Sequence, residues 1–284
     1  MKCFLTVQLW QVIGKGTGLG GKKERENMRN RIIKYLDKLE EENNIKILLA
    51  CETGSRAWGF ASPDSDFDVR LIYVHKTDWY LGLSEKRDFI DAFYQEKEID
   101  ICGWDLKKSL QLLAKSNASI FERIGSPYVY KEAEGFRDSF LKLSEENYSK
   151  IASIHHYLGL ANNAMKELRE HEAYKLKKLF YALRATLACL WILEKDVYPP
   201  MKFEVMLNDL ELPVEVKNKI VELLRLKTKK EESYRHYGEE TLLGFIEESI
   251  HSTKGKAKSL PASNGNYESL EHFFKTTVKQ YNDN

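Results

Sequence analysis

The stretch CETGSRAWGFASPDSDFDVRLIYV, Cys51 to Val74, decides the fold. An apolar run, IKILLAC (45–51), leads into Gly54-Ser55, and after a short polar segment FDVRLIYV (67–74) is again strand-like. Alternate residues of a strand face the same side, so Asp66 and Asp68 are expected to project together while Phe67 and Val69 point into the core. Two carboxylates that close repel each other unless a cation lies between them. They are therefore a natural pair of oxygen ligands for Mg²⁺.

A third acid follows in EIDICGW (98–104), which alternates in the same way. If this strand lies beside the first, Asp100 or Glu98 completes a three-carboxylate cluster. Such a cluster can hold two metal ions, one activating an attacking hydroxyl and one gripping phosphate oxygens. Asp-x-Asp alone is a weak signal, because solvated Asp pairs are common in turns; the combination of strand, Gly-Ser, helix, strand and distant acid is the specific one. Glycine at 54 lets the backbone approach a phosphate, the N–H groups after it open a short helix, and Ser55 adds a hydroxyl donor.

Outward from this stretch the pattern predicts an α+β fold: a small mixed β-sheet with flanking helices, then an all-helical domain. DFIDAFY (88–94) and EIDICGW lie close together and read as a hairpin. DLKKSLQLLAKS (105–116) reads as a helix with Asp105 as its N-cap. Beyond SPYVY (126–130) strand signals almost disappear, and YSKIASIHHYLGLANNAMKELRE and YKLKKLFYALRATLACLWILEK have helical periodicity, the second stopped by Pro199-Pro200. The expected division is a leader at 1–27, a catalytic domain at 28–130, a helical domain at 131–252, and a linker with a last helix at 253–284. GKGTGLGGKK matches GxGxxG at Gly16, Gly18 and Gly21 and nearly matches a phosphate loop, but Lys23 stands where a Ser or Thr belongs. It is read as a flexible leader, with a helix opening at Met28, an alternative translation start.

Composition sets outer limits. In 284 residues, 44 basic side chains face 43 acidic ones, a net charge of +1 that argues against a broad nonspecific nucleic-acid footprint without excluding a local basic groove. Cys3, Cys51, Cys102 and Cys189 are scattered with no CxxC pair, which disfavours a zinc site or disulfide framework and fits a reducing cytoplasm. No apolar run is long enough to span a bilayer.

Gly54-Ser55, Asp66-x-Asp68 and the distant Asp100 resemble the signature of the DNA-polymerase-β-like nucleotidyltransferase superfamily. The wider string ETGSRAWGFASPDSDFDVRLIYV, then IDICGWDLKKSLQLLAKSN, SPYVY and KKLFYALRATLACLW, resembles its RlaP branch, also called YcgL-like and associated with RNA repair. The likeness covers roughly Met28 to Leu210, and Glu52-Thr53 stands where Glu-Ser is expected. It implies a Mg²⁺-dependent nucleotidyltransferase, with Mn²⁺ as an alternative ion, acting on a nucleoside triphosphate. Asp66 and Asp68 would bind both metals, Asp100 would act on the one that activates the acceptor hydroxyl, and Gly54 and Ser55 would hold the triphosphate. A helix of the second domain supplies lysine and tyrosine to the triphosphate in related enzymes, which points to Lys178, with Tyr181 and Arg184 beside it and Lys177 as the substitute one position away. The acceptor is an RNA 3′ end or, in an antitoxin-type regulatory transferase, a partner protein; a non-catalytic nucleotide sensor on the same fold is disfavoured by the presence of all three acids.

Other residues keep two readings. Arg56 reaches a phosphate or pairs with Glu52. Ser65, with Ser62, steadies a carboxylate or phosphate or caps the turn after Pro63. Arg70, on the face of Asp66 and Asp68, neutralises the acids or contacts phosphate. Trp58 and Phe60 read as core aromatics, His155-His156 as packing residues, and the lysines at 227–230 and 254–258 as solvated surface. Lys108 and Asn117 are placed near the cleft without an assigned role.

Overall fold

The computed structural model describes residues 19–94, 98–261 and 265–281. The chain divides into two units, residues 1–44 and 45–284. In the first, helix α1 (Leu19–Asn43) begins nine residues before Met28, so the last third of the expected leader is helical. Gly16 and Gly18 of the GxGxxG match lie outside the described residues. Ile32, Leu36 and Leu39 are buried and Ile33 half-buried, the stripe that helical spacing predicts.

The second unit is built on a mixed five-stranded sheet in the order β3-β4-β2-β1-β5. Its strands are β1 (Ile45–Glu52), β2 (Phe67–His75), β3 (Phe89–Tyr94), β4 (Ile99–Asp105) and β5 (Val129–Glu132). β1 is antiparallel to β2 and β5, β3 and β4 form the expected hairpin, and β2 and β4 run parallel. Residues 47–51 of β1 are all buried, because helices or neighbouring elements cover both faces of this central strand. β5 prolongs the sheet past residue 130, where the strand signal in the sequence is only four residues long.

Short helices α2 (Gly54–Trp58) and α3 (Thr77–Leu81) follow β1 and β2. After β4 come α4 (Leu106–Ala114) and α5 (Ala118–Gly125), and after β5 comes α6 (Phe136–Glu146). Asp105 caps α4 as predicted, accepting from the Lys107 N–H at 2.8 Å. Asn117 turns out to cap α5, accepting from the Ser119 N–H at 2.9 Å. Buried Arg123 of α5 donates to the carbonyls of Leu71 (2.6 Å) and Cys102 (3.2 Å), tying β2 to β4.

The helical half comprises α7 (Lys150–Glu170), α8 (Leu176–Lys195), α9 (Phe203–Asp209), α10 (Val214–Lys227), α11 (Glu240–Ala257) and α12 (Tyr267–Gln280). A two-stranded ribbon of β6 (Ala173–Lys175) and β7 (Arg235–Tyr237), not expected from the sequence, ties the start of α8 to the segment after α10. α8 ends at Asp196, whose backbone is left-handed (φ 63°), three residues before Pro199. No helix among the described residues is long and apolar enough to cross a membrane.

The last helix belongs to the sheet's core. Leu270 and Val278 of α12 join a buried cluster with Leu48, Ile72, Leu110 and Phe140, so strands and residues 267–280 share one apolar interior. Replacing Leu270, 4% exposed, by alanine should therefore cost about 2–4 kcal/mol, measured by chemical denaturation. A loss below about 0.5 kcal/mol would mean that α12 does not contribute to this core.

Candidate nucleotidyl-transfer site

The site begins where β1 stops. Thr53 is extended and Gly54 takes φ 64°, a conformation that favours glycine. A Cβ on Gly54 would lie 1.9 Å from Oδ2 of Asp68, so the glycine is also required for space. The backbone closes the same contact, as the Thr53 N–H donates to the Asp68 carbonyl at 2.8 Å. The Gly-Ser turn and the second aspartate of the opening stretch are thus one packed object.

Glu52 supports it from beneath. Its carboxylate is 2% exposed; it accepts from the Asp68 N–H at 2.8 Å and from the Tyr130 hydroxyl. Burial pushes this carboxyl up to about 7, against the lowering effect of those two hydrogen bonds and of the Arg56 charge.

Parallel pairing sets Asp68 directly opposite Asp100. Between them lies the Arg70 guanidinium, whose Nη2 donates to Asp68 Oδ1 at 2.7 Å and to Asp100 Oδ2 at 2.9 Å. Of the two roles open to Arg70, it takes the neutralising one. Asp68 is still pushed up to about 6, first by burial and then by Asp66, Asp100 and Glu232, with Arg70 acting downward. Asp66 sits one residue before β2 and is exposed, so it approaches the pair from the loop and not from the strand face. Phe67, expected in the core, is half-buried under the Arg56 guanidinium at 3.8 Å.

Among the described residues no three acidic, histidine or cysteine side chains converge closely enough to hold a metal. The donor chemistry nevertheless fits a hard divalent cation. Asp68 and Asp100 each give one carboxylate oxygen to Arg70 from facing positions on adjacent strands, a pair of hard oxygen donors of the kind such an ion takes.

The turn's hydroxyls form a chain. Ser55 Oγ donates to Ser65 Oγ at 3.2 Å, Ser65 Oγ also accepts from the Ser62 N–H at 3.0 Å, and it donates to Glu232 Oε1 at 2.9 Å. Arg56 pairs neither with a free edge of the cleft nor with Glu52; its Nε donates to the Asp66 carbonyl at 2.9 Å and its Nη2 to the Ser65 carbonyl at 2.5 Å, bracing the loop that carries Asp66.

The α8 residues separate into two groups. Lys177 pairs with Glu232 and so joins the serine chain, whereas Lys178 pairs with Glu167 at 2.7 Å. Lys178, Tyr181 and Arg184 line a cavity of about 400 Å³ with Trp58, Glu122 and His156. Tyr181 stands between cavity and acids: burial raises its hydroxyl to about 12, with Asp68, Glu232 and Asp66 adding to the shift. Arg184 is 4% exposed, pairs with Glu122 at 2.7 Å and lies over the Trp58 ring at 4.5 Å. Phe60 is core as expected, while Trp58 is half-buried on the cavity wall. Lys108 pairs with Asp88 at 2.8 Å.

Two residues of this network escaped the sequence. Lys227, read as solvated surface, is 2% exposed with its Nζ 2.9 Å from Ser62 Oγ, because the end of α10 is pressed against the loop before β2. Glu232 sits in a charged run, KKEESYRHY, that carries no period and no motif.

The family model RlaP, described as the RNA repair pathway DNA polymerase beta family, matches residues 28–276, well beyond the end expected at Leu210. The chain is a nucleotidyltransferase of the polymerase-β type, and it belongs to the RlaP family. A curated relative, the uncharacterized protein YcgL of Bacillus subtilis strain 168, is 38% identical over 254 residues, 89% of this chain and 97% of its own length. A solved nucleotidyltransferase-like protein from Exiguobacterium sibiricum 255-15 is 13% identical, with a TM-score of 0.30 over 80% of this chain and 75% of that one, a likeness too slight to carry anything further.

Glu52 gives a test of the site's electrostatics. Its folded carboxyl titrates near 7 and its unfolded one near 4.5, so between these values the folded state holds more protons. Stability from this group therefore falls as pH rises from about 4.5 to about 7 and is level above. Glu52→Gln should remove that slope, so its stability relative to wild type should improve between pH 5 and 7.5 by on the order of 3 kcal/mol. Parallel pH profiles for the two proteins in urea titrations would show that Glu52 is ionised throughout.

Proposed function

We propose that this chain transfers a nucleoside monophosphate from a nucleoside triphosphate to an acceptor hydroxyl, and that the acceptor is an RNA 3′ end. The observation that carries the reading is the register of Asp68 and Asp100 on adjacent parallel strands, with Gly54 closed against Asp68. The family's description as an RNA repair pathway group supports the choice of acceptor.

On this reading Asp66, Asp68 and Asp100 would hold Mg²⁺ or Mn²⁺, which when bound would offset phosphate charge and acidify a coordinated hydroxyl. The chain's own groups do the rest. Gly54 admits the phosphates to the backbone, and Ser55 with Ser65 offers hydroxyl donors. The nucleoside half lies in the cavity whose wall includes the edge-to-face pair of Trp58 and Tyr181, with Arg184 and Glu122 as hydrogen-bonding groups there. The acceptor oxygen bonds to the α-phosphorus, the bond from that phosphorus to the α,β-bridging oxygen breaks, and pyrophosphate leaves. Asp100 takes the hydroxyl proton. Arg70 holds Asp68 and Asp100 at fixed separation through the exchange, and Arg56 holds the Asp66 loop.

The test offers each labelled nucleoside triphosphate with Mg²⁺ to RNA, DNA and cell lysate. Labelled RNA extended by a nucleotide is the expected result, and Asp68→Asn should lower it at least ~100-fold. The same variant should melt no lower than wild type, because it removes a partly buried charge that the fold already holds at a cost. Label on a protein in the lysate would make the chain a protein-modifying transferase. Transfer unchanged in both Asp68→Asn and Asp100→Asn would remove the assigned site.

A further inference from the structure

Glu232 brings a negative charge to a place built for one. The segment between α10 and β7 projects its carboxylate onto the serine chain, where Oε1 accepts from Ser65 Oγ at 2.9 Å and Oε2 from the Lys177 ammonium. Ser55 Oγ, on the turn that Gly54 opens, lies one hydrogen bond further on at 3.2 Å. Ser65 adjoins Asp66 in the chain, so the carboxylate sits against the loop that carries the first of the three acids.

The surrounding donors exceed what one carboxylate uses. Lys227 is almost fully buried; its ammonium donates to the neutral Ser62 Oγ at 2.9 Å and lies over the Phe60 ring, with Glu232 and Asp64 acting on it only through space. The nearby Asp64 does not pair with it; its two oxygens accept from the Glu232 N–H at 2.9 and 3.1 Å. Lys177 and Ser65 thus bond to the carboxylate directly, Lys227 and Ser62 line the same small pocket, and Ser55 lies one hydrogen bond beyond Ser65. Burial pushes the Lys227 ammonium down although Glu232 and Asp64 act upward, and a group with more negative charge than a carboxylate would offset more of that cost. Hydroxyls and ammoniums around an anion are the donors a phosphate group takes.

We infer that Ser55, Ser65, Lys177 and Lys227 form a subsite for the outer phosphates of the nucleotide, and that Glu232 fills it as an internal stand-in which the nucleotide displaces. The inference rests on the nucleotide-binding reading above. It makes Lys177, and not Lys178, the lysine of α8 that meets phosphate. It also gives the segment after α10 a function: it holds the subsite closed in the free protein, with Asp64 as the catch on its backbone and the β6–β7 ribbon as its anchor.

A buffering carboxylate and a positioning carboxylate predict opposite signs. If Glu232 is displaced by phosphate, Glu232→Gln removes the competitor's charge and frees Lys177, so affinity should rise. If Glu232 only holds Lys177 in place, the same change should weaken binding. Titration calorimetry would use inorganic tripolyphosphate and a non-hydrolysable nucleoside triphosphate analogue, each with Mg²⁺, on the full chain. Glu232→Gln should bind both about tenfold more tightly, Asp64→Asn should shift binding in the same direction by less, and Lys177→Ala should weaken it at least tenfold. Thermal melts of each variant identify any loss of fold, and Asp64→Asn, on an exposed loop, keeps the question open to measurement if Glu232→Gln misfolds. Unchanged or weaker binding by Glu232→Gln and Asp64→Asn, with Asp68-dependent transfer intact, overturns the stand-in and leaves the proposed function standing. Absence of nucleotide binding in wild type and all variants overturns both.

Discussion

Everything in the site hangs on the contact between Gly54 and Asp68. A strand end, a left-handed residue and a carboxylate occupy space that no Cβ can share, with 1.9 Å between its ideal position and Asp68 Oδ2. Two bonds, from the Thr53 N–H to the Asp68 carbonyl and from the Asp68 N–H to the Glu52 carboxylate, fix the depth at which β1 and β2 meet. Parallel pairing with β4 then sets Asp100 beside Asp68, and Arg123 ties those two strands together from behind. A carboxylate positioned by strand register and by van der Waals contact needs little side-chain freedom to be frozen on binding.

This arrangement is electrostatically expensive. Glu52 and Asp68 both sit well above the usual carboxylate range, chiefly because burial disfavours their charge. Arg70 pairs with Asp68 and Asp100 and offsets part of that cost for Asp68, while Asp66 stays exposed on the approaching loop. A fold that keeps charge where it is disfavoured is one whose site has been shaped by something other than stability.

The parts governed by short-range chemistry were legible in the sequence. Strand alternation placed Asp68 and Val69 on opposite faces, the Asp105 cap marked the start of α4, and the short link between β3 and β4 gave a hairpin. What was not legible depended on tertiary packing. Asp66 looked like a strand residue because the alternation reads straight through it, yet β2 begins one residue later. Lysines at 177 and 178 are adjacent in sequence but 100° apart around a helix, so spacing alone could not tell which of them turns towards the turn's serines. Lys227 carries the composition of a surface residue, and only the docking of α10 on the loop before β2 buries it. Glu232 meets Ser65 across 167 residues, a separation at which no local pattern exists.

The near-neutral composition can now be reconciled with a site for a polyanion. A chain with 44 basic and 43 acidic residues has no surplus of positive charge to spread over its surface. It can still present a concentrated cationic pocket if the pocket's charge is matched internally, as Lys177 is by Glu232, while the acids a few residues away are matched by Arg70. Ligand binding then becomes an exchange of partners more than a creation of new ion pairs. Such exchange favours a ligand that outcompetes the internal carboxylate in charge and in number of acceptor oxygens, and a triphosphate does so where a single carboxylate or monophosphate in water does not. The internal partner therefore sets a threshold for occupancy: it keeps Lys177 paired in the free protein and discriminates among anions by how much better than Glu232 they fit.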